Sequence, residues 1–313
     1  MSTQRVTNLM LSLVAAYLAG FAGLSHANPL PNNQTANQVA VVEALQVPAW
    51  VERNGRKQAI QPGMALRTND TLQTGEDARL LLRLADGSAV RLGAQAALHL
   101  QNVQTKQENE GLTIRGALNV LRGAFRFTTD AVAKLRTKRE LDVRFATVTA
   151  GIRGTDLWGK NAPDKEIVCL IEGKISVDRE VAGWRDSTLT IEGDKQFYIA
   201  PVGKPALPVG EVPAAKLAEW SQEVALQEGQ GIINAQQSKV AIEIGPFDSL
   251  SQAAQILEAS KSAGYPFALE TSRNKRGVQY RLRMNGFASA ADAQAAATRY
   301  SKQFNDQTLQ IKG

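Results

Sequence analysis

Cysteine is nearly absent. Cys169 is the sole one in 313 residues, so no internal disulfide can form and packing must hold each domain together. Histidine is almost as scarce, with only His26 and His99. That leaves neither a zinc ligand set nor a histidine-based nucleophile–base pair. No Gly-rich loop of the Walker or Rossmann type occurs, which removes the usual phosphate cradles. Beyond the first 27 residues there is no run of ~20 apolar residues to cross a bilayer. One catalytic route stays open, because Asp and Glu are plentiful and their pairing in space is invisible in a sequence. The expectation is a non-enzyme without cofactor or metal.

A strong charge of one sign is lacking as well. Arg5 is the only Lys, Arg, Asp or Glu before Glu43, and it precedes the apolar run Leu9 to Leu24. Ser25-His26-Ala27 then supplies small residues at the positions signal peptidase reads. Residues 1–27 are read as a secretory signal peptide cleaved after Ala27. The alternative, a retained anchor, has to work with a short segment broken by Gly20 and Gly23. Without Arg5 the chain carries 35 basic against 30 acidic side chains, a mild bias toward polyanionic surfaces. Residues 28–38, rich in Pro and Asn, form a flexible leader.

From 39 to 203 the apolar period is two. Leu80, Leu82 and Leu84 alternate with Arg79 and Arg83, Asp86-Gly87 makes a turn, and Val90 and Leu92 return. Phe125 and Phe127 follow a turn at Arg122-Gly123. Ile167, Cys169 and Ile171 lead to a turn at Glu172-Gly173, which makes Cys169 a buried strand residue rather than a reactive thiol. Many short strands with close-spaced Gly turns argue for an all-β sandwich, roll or solenoid. Lys134, Arg136, Lys138 and Arg139 read as a solvated basic loop.

Residues 204–238 open with Pro205, Pro208 and Pro213. Ala214 to Leu226 then fits a short amphipathic helix with Leu217, Trp220 and Val224 on one side, Trp220 packing on a domain. The Gln-rich stretch Gln227 to Lys239 reads as a flexible tether that lets two domains reach separate partners.

Residues 239–313 contain an internal repeat. Ile242 to Ala254 recurs forty residues later as Leu282 to Gln294, with Phe247 matching Phe287 and Ser249 matching Ser289. Each copy reads as strand, turn and helix, so each needs the other to bury its apolar face. The full order is β-α-β-β-α-β, a ferredoxin-like module with both helices on one face of an antiparallel sheet. Val278, Tyr280, Leu282 and Met284 point inward. Gln279, Arg281, Arg283 and Gln310 point outward, which leaves an open polar face. RNA-binding domains share this order but need aromatics there to stack bases, so no nucleic-acid partner is expected.

Two resemblances follow from these motifs. Asp86-Gly87-Ser88-Ala-Val90-Arg-Leu92 and Thr147 to Asp156, which ends Gly151-Ile-Arg153-Gly154-Thr-Asp156, resemble the FecR-type periplasmic domain. That resemblance implies an extracytoplasmic β-rich module without a chemistry of its own. Arg153 and Asp156 are its candidate partner-binding residues, set against the plainer reading that Arg153 ties the corner to Asp156 or to backbone carbonyls. Ile242-Glu-Ile-Gly-Pro-Phe247 and Tyr280-Arg-Leu-Arg-Met-Asn-Gly-Phe287 resemble the paired motifs of the SPOR domain. That resemblance implies binding to peptidoglycan glycan strands stripped of stem peptides, with Glu243, Pro246, Arg281 and Arg283 on or beside the glycan-facing sheet. Glu243 stands where the family carries Gln, and Pro246 where it carries Ser. The open face also lacks an aromatic platform, so the grip falls to Gln279, Gln310 and the two arginines, unless Arg281 and Glu243 simply pair with each other.

The resulting expectation is a periplasmic, non-catalytic α+β multidomain protein, not membrane-spanning after cleavage, with the division septum as a candidate place of enrichment. It would scaffold an envelope or cell-division protein at the wall. The alternative is an envelope signalling component whose β domain contacts a receptor or regulator.

Overall fold

A computed structural model of the chain describes residues 38–313, except 109–110, 187, 235–237, 275–276 and 305–308. The expected signal peptide and nearly all of the expected leader therefore lie outside the described residues. Across the N-terminal part, the two-residue apolar period folds into two stacked sheets that share one long strand. The first runs Gln38–Gln46, Arg79–Leu84, Ala89–Leu92, Gly111–Thr128, Asp156–Asn161, Lys165–Glu172, Gln196–Pro201 and Gly210–Glu211. The second runs Arg56–Ala59, Ala49–Arg53, Thr71–Thr74, Ala97–Glu108, Gly111–Thr128, Thr137–Arg144, Val148–Ile152, Ile175–Val181 and Leu189–Ile191. Side chains from both inner faces, among them Leu82, Leu98, Leu118, Phe125, Phe127, Val143 and Leu170, make the core.

The 18-residue strand Gly111–Thr128 changes sheets at Gly123. Residues 111–122 pair in the second sheet and 123–128 in the first. Gly123 has φ +82°, and a Cβ there would lie 2.6 Å from Ala96 Cα. The turn expected at Arg122-Gly123 is therefore a bend within one continuous strand, where glycine permits close backbone approach. The hairpin at Asp86-Gly87 forms as expected, with Leu80 opposite Leu92 and Leu82 opposite Val90.

The helix Ala214–Val224 lies against the outer face of the first sheet. Trp220 stacks on Trp158 with ring centroids 4.5 Å apart and planes 3° from parallel. Cys169, Ile167 and Phe197 complete this second apolar cluster. Because the strand Lys165–Glu172 is covered on both faces, it reads as an unbroken apolar run, Ile167 to Ile171. Burial pushes the Cys169 thiol up to about 12.

The C-terminal module has four strands in the order Ala268–Asn274, Gly277–Asn285, Ala241–Phe247, Leu309–Lys312, all antiparallel. Its helices are Leu250–Ser262 and Ala290–Phe304. Buried alanines at 253, 293, 296 and 297 let helices and sheet approach closely. Ser249 caps the first helix by accepting from Gln252 N. Asp292 and Ser289 cap the second reciprocally, through Ser289 Oγ to Asp292 Oδ2 at 2.6 Å and Asp292 N to Ser289 Oγ at 3.1 Å. Leu282 and Met284 are buried as expected, whereas Val278 at the strand's far end is exposed.

The expected free tether does not hold over residues 227–234. Ile232–Asn234 pairs antiparallel with Ala44–Gln46, and Ile233 bridges to Phe287 of the C-terminal module. Gln46, buried, donates to Gln230 O at 2.9 Å and accepts from Gln227 N at 3.1 Å. Asp292 accepts from Gly231 N and Ile232 N, both at 2.9 Å. The domains also touch directly. Ala49 N donates to Gly264 O at 3.1 Å, and Trp50 Nε1 donates to Ser262 O at 2.8 Å. A polar segment stays free only where water serves its backbone better than a sheet edge does. Here the edge of Gln38–Gln46 was available.

Candidate functional site

On the open face of the C-terminal sheet, strand register sets the neighbours. Gln310, Glu243, Arg283 and Ala268 form one row, Arg281 faces Glu270, and Gln279 faces Ser272. Glu243 is bound to Arg283, with Nη1 to Oε1 at 2.7 Å. It is thus Arg283, not Arg281, that pairs with Glu243, because register places them directly opposite. The pair is partly sheltered, with side-chain exposures of 28% for Arg283 and 12% for Glu243. Arg283 Nε also donates to Asn285 Oδ1.

Arg281 is half-buried and makes no hydrogen bond or ion pair among the described residues. Gln310 is exposed on the strand next to Glu243. Gln279 Nε2 lies 3.4 Å from Asp248 Oδ1. Pro246 is exposed at a bulge that ends the first strand of the module, after a cis Gly245–Pro246 bond. Tyr280 stands opposite Phe247 and Thr271 and packs against the core, so it offers the open face no aromatic plate. The face is therefore a polar, hydrogen-bonding surface with one uncommitted guanidinium. It suits hydroxyl-rich ligands more than flat apolar rings.

At the Gly151-to-Asp156 corner the two candidates part company. Arg126 forks onto Asp156, with Nε to Oδ1 at 2.9 Å and Nη2 to Oδ2 at 2.7 Å, and Thr128 Oγ1 lies 3.4 Å from Oδ1. Asp156 is thus committed to Arg126 on the outer face of the first sheet, where Arg126 also reaches Ser221 of the helix Ala214–Val224. The reading that Arg153 ties the corner to Asp156 fails: Arg153 is exposed and makes no hydrogen bond or ion pair among the described residues. It lines a cavity of about 380 Å³ with Lys134, Lys138, Arg139 and Glu140.

The basic run is not uniformly solvated. Lys134 reaches Glu172 at 2.6 Å and Lys138 reaches Glu140 at 3.2 Å, both at the surface. Arg139 is buried, donating from Nε and Nη2 to Asp86 Oδ2 at 2.9 and 2.6 Å, with side-chain exposures of 3% and 0%. Asp86 also accepts from Ser88 N and Ser88 Oγ. One carboxylate therefore closes the Asp-Gly-Ser turn and anchors a strand 53 residues away. Nothing in a run of basic residues marks the one that is buried. A turn Asp with its own Ser donors is the nearest sequence signal.

Comparison with protein-family models matches residues 70–176 to the FecR protein family and residues 236–309 to the SPOR domain. The chain carries a FecR domain and a SPOR domain. Both are non-catalytic modules. The SPOR match spans the open face just described up to residue 309, one short of Gln310, and the FecR match includes the Asp86 turn, the Arg139 anchor and the Arg153 corner. Two crystal structures of a candidate anti-sigma factor from Parabacteroides distasonis ATCC 8503 align at 12% and 14% identity. They cover 67% and 74% of this chain and 97% and 91% of their own, each at a TM-score of 0.37, a likeness too loose to carry an argument. Among curated proteins none matches the chain. Among the described residues no helix is long and apolar enough to cross a membrane.

Proposed function

We propose that this protein is a periplasmic signalling component of the cell envelope. Its SPOR domain holds peptidoglycan glycan strands, and its FecR domain engages a receptor or regulator. On the SPOR side, Arg281, Gln279 and Gln310 grip sugar hydroxyls and carboxylates of stripped glycan beside the Glu243–Arg283 pair, with Pro246 at the rim. On the FecR side, Arg153 and its neighbouring lysines meet an acidic partner surface.

The observation that carries this reading is the docking of the two domains. The Ile232–Asn234 strand, the Trp50–Ser262 hydrogen bond and the Asp292 contacts tie them together. A scaffold gains from a loose tether, since each domain then finds its partner alone. A component that reports wall state gains from a fixed geometry, because occupancy of one domain then bears on the other.

The test pairs two assays on the mature chain. Pelleting with intact and amidase-stripped sacculi should favour the stripped glycan, and Arg281→Ala should abolish the preference. A photo-crosslinker in place of Arg153, activated in cell envelopes, should capture a membrane receptor or regulator in a glycan-dependent way. Capture of division proteins alone, independent of glycan, would leave the scaffold reading. Failure to pellet with either substrate would remove the wall from the account.

A further inference from the structure

A second cleft, away from the open SPOR face, has the composition of a ligand site. It encloses about 810 Å³ at the FecR end of the domain junction, within the range that takes a small organic ligand. Trp50 forms one wall, with Lys57 Nζ 4.3 Å from the centre of its ring. Arg79, Arg122 and Lys160 add three more cations, against the carboxylates Glu76 and Glu223. Lys160 is bound to Glu223 at 3.0 Å, so these two offset each other. Lys57, Arg79 and Arg122 are left facing Glu76.

Arg79 is the least satisfied of the three. Among the described residues its Nη1 donates only to Ala78 O, and its Nε is buried with no hydrogen-bond partner. Burial lowers its pKa, and Asp77 and Glu223 offset that only in part. A half-buried guanidinium with an unpartnered Nε calls for an acceptor, which water or an anion can supply, and an anion also offsets its charge. Among the described residues Arg122 spends only Nε, on Gln95 O at 3.1 Å, which leaves its outer nitrogens for a ligand. The indole beside them is an aromatic plate of the kind sugar rings lie against, and a ring reaches it by displacing the Lys57 ammonium from its face. Such a plate is missing from the SPOR face.

We propose that this cleft binds a carboxylated sugar. The carboxylate bridges Arg79 and Arg122, and the ring lies toward Trp50 and Lys57. Trp50 also donates to Ser262 O of the SPOR domain, so a ligand here bears on the domain junction itself. The site is separate from the open SPOR face and stands or falls independently of it.

The experiment titrates the full mature chain with N-acetylglucosaminyl-N-acetylmuramic acid by calorimetry and indole fluorescence. Neutral diacetylchitobiose and a blocked diglutamate peptide serve as comparisons. The acidic disaccharide should bind at least tenfold more tightly than either comparison, and the affinity should fall with salt. Arg79→Gln and Arg122→Gln should each weaken it about tenfold, while Arg281→Ala leaves it unchanged. Lys57→Gln and Arg122→Gln alter exposed side chains and keep the test valid if Arg79→Gln does not fold. Equal affinity for the neutral disaccharide, equal affinity for the peptide, or indifference to both exposed-site variants would overturn the assignment. Loss on Arg281→Ala alone would transfer the binding to the SPOR face.

Discussion

Replacing Gly264 with alanine should loosen the contact between the two domains without unfolding either. Gly264 follows the helix Leu250–Ser262 at φ +85°, and its carbonyl accepts from Ala49 N. A Cβ there would sit 2.7 Å from Trp50 Cε2 and 2.9 Å from Pro48 Cβ. Two costs follow. Holding alanine at positive φ costs about 1 kcal/mol wherever the SPOR domain is. Overpacking against Trp50 and Pro48 costs about 1–3 kcal/mol, and only while the domains touch. Separation there relieves the second cost but forfeits the Trp50–Ser262 and Ala49–Gly264 hydrogen bonds, each worth about 0.5–1.5 kcal/mol. The two sides are comparable, so the contact should open measurably.

Gly203→Ala is the matched control, since Gly203 has φ +67° and nothing within 4 Å of an added Cβ. Hydrogen exchange at the Ala49 amide and the Trp50 indole N–H reads the opening directly. Exchange should be at least tenfold faster in Gly264→Ala, a shift of about 1.4 kcal/mol, and unchanged in Gly203→Ala. Unaltered protection of Ala49 in Gly264→Ala would refute the reasoning, because it would mean that Trp50 yields without the domains parting.

Three further outcomes are expected. Arg139→Met leaves the buried Asp86 carboxylate without its cation and should cost about 3–5 kcal/mol in urea unfolding; adding Asp86→Asn should recover part of that, and strictly additive losses would deny the coupling. Trp220→Ala removes a nearly buried ring stacked on Trp158 and should cost about 3–5 kcal/mol, read as a lowered urea midpoint; a loss under about 1 kcal/mol would mean that the helix Ala214–Val224 is only loosely held. Burial raises Cys169, Tyr198 and Tyr265 to about 12 from ordinary values of 9.0 and 10.0. The native state therefore keeps protons that the unfolded chain releases, so stability is full below pH ~9 and declines as pH rises toward 12. Cys169 should accordingly resist alkylation at pH 8 until the chain unfolds, and prompt labelling of the native protein would contradict its burial.

Much of the architecture was legible in residue order. A two-residue apolar period means one face in and one face out, and Asp86-Gly87 can turn a chain with no help from afar. The repeat from Ile242 and Leu282 carries its own reason, since neither half buries its helix alone. Trp220 on an apolar helical stripe pointed to packing, and Trp158 received it. The outward set Gln279, Arg281, Arg283 and Gln310 followed from alternation along the strands.

Tertiary structure decided the pairings. Arg153 and Asp156 are three residues apart, yet the register of Asp156–Asn161 against Gly111–Thr128 hands Asp156 to Arg126, 30 residues earlier. Glu243 goes to Arg283 rather than Arg281 for the same reason. Arg139 is buried while its neighbour Lys138 is exposed, because Asp86 lies opposite only once the two sheets stack. The Gln-rich segment is polar enough to stay in water, and its composition carries no trace of the sheet edge at Ala44–Gln46 that captures it. Local sequence encodes period and turn chemistry, whereas the partner of a charge depends on which distant strand the register brings opposite it.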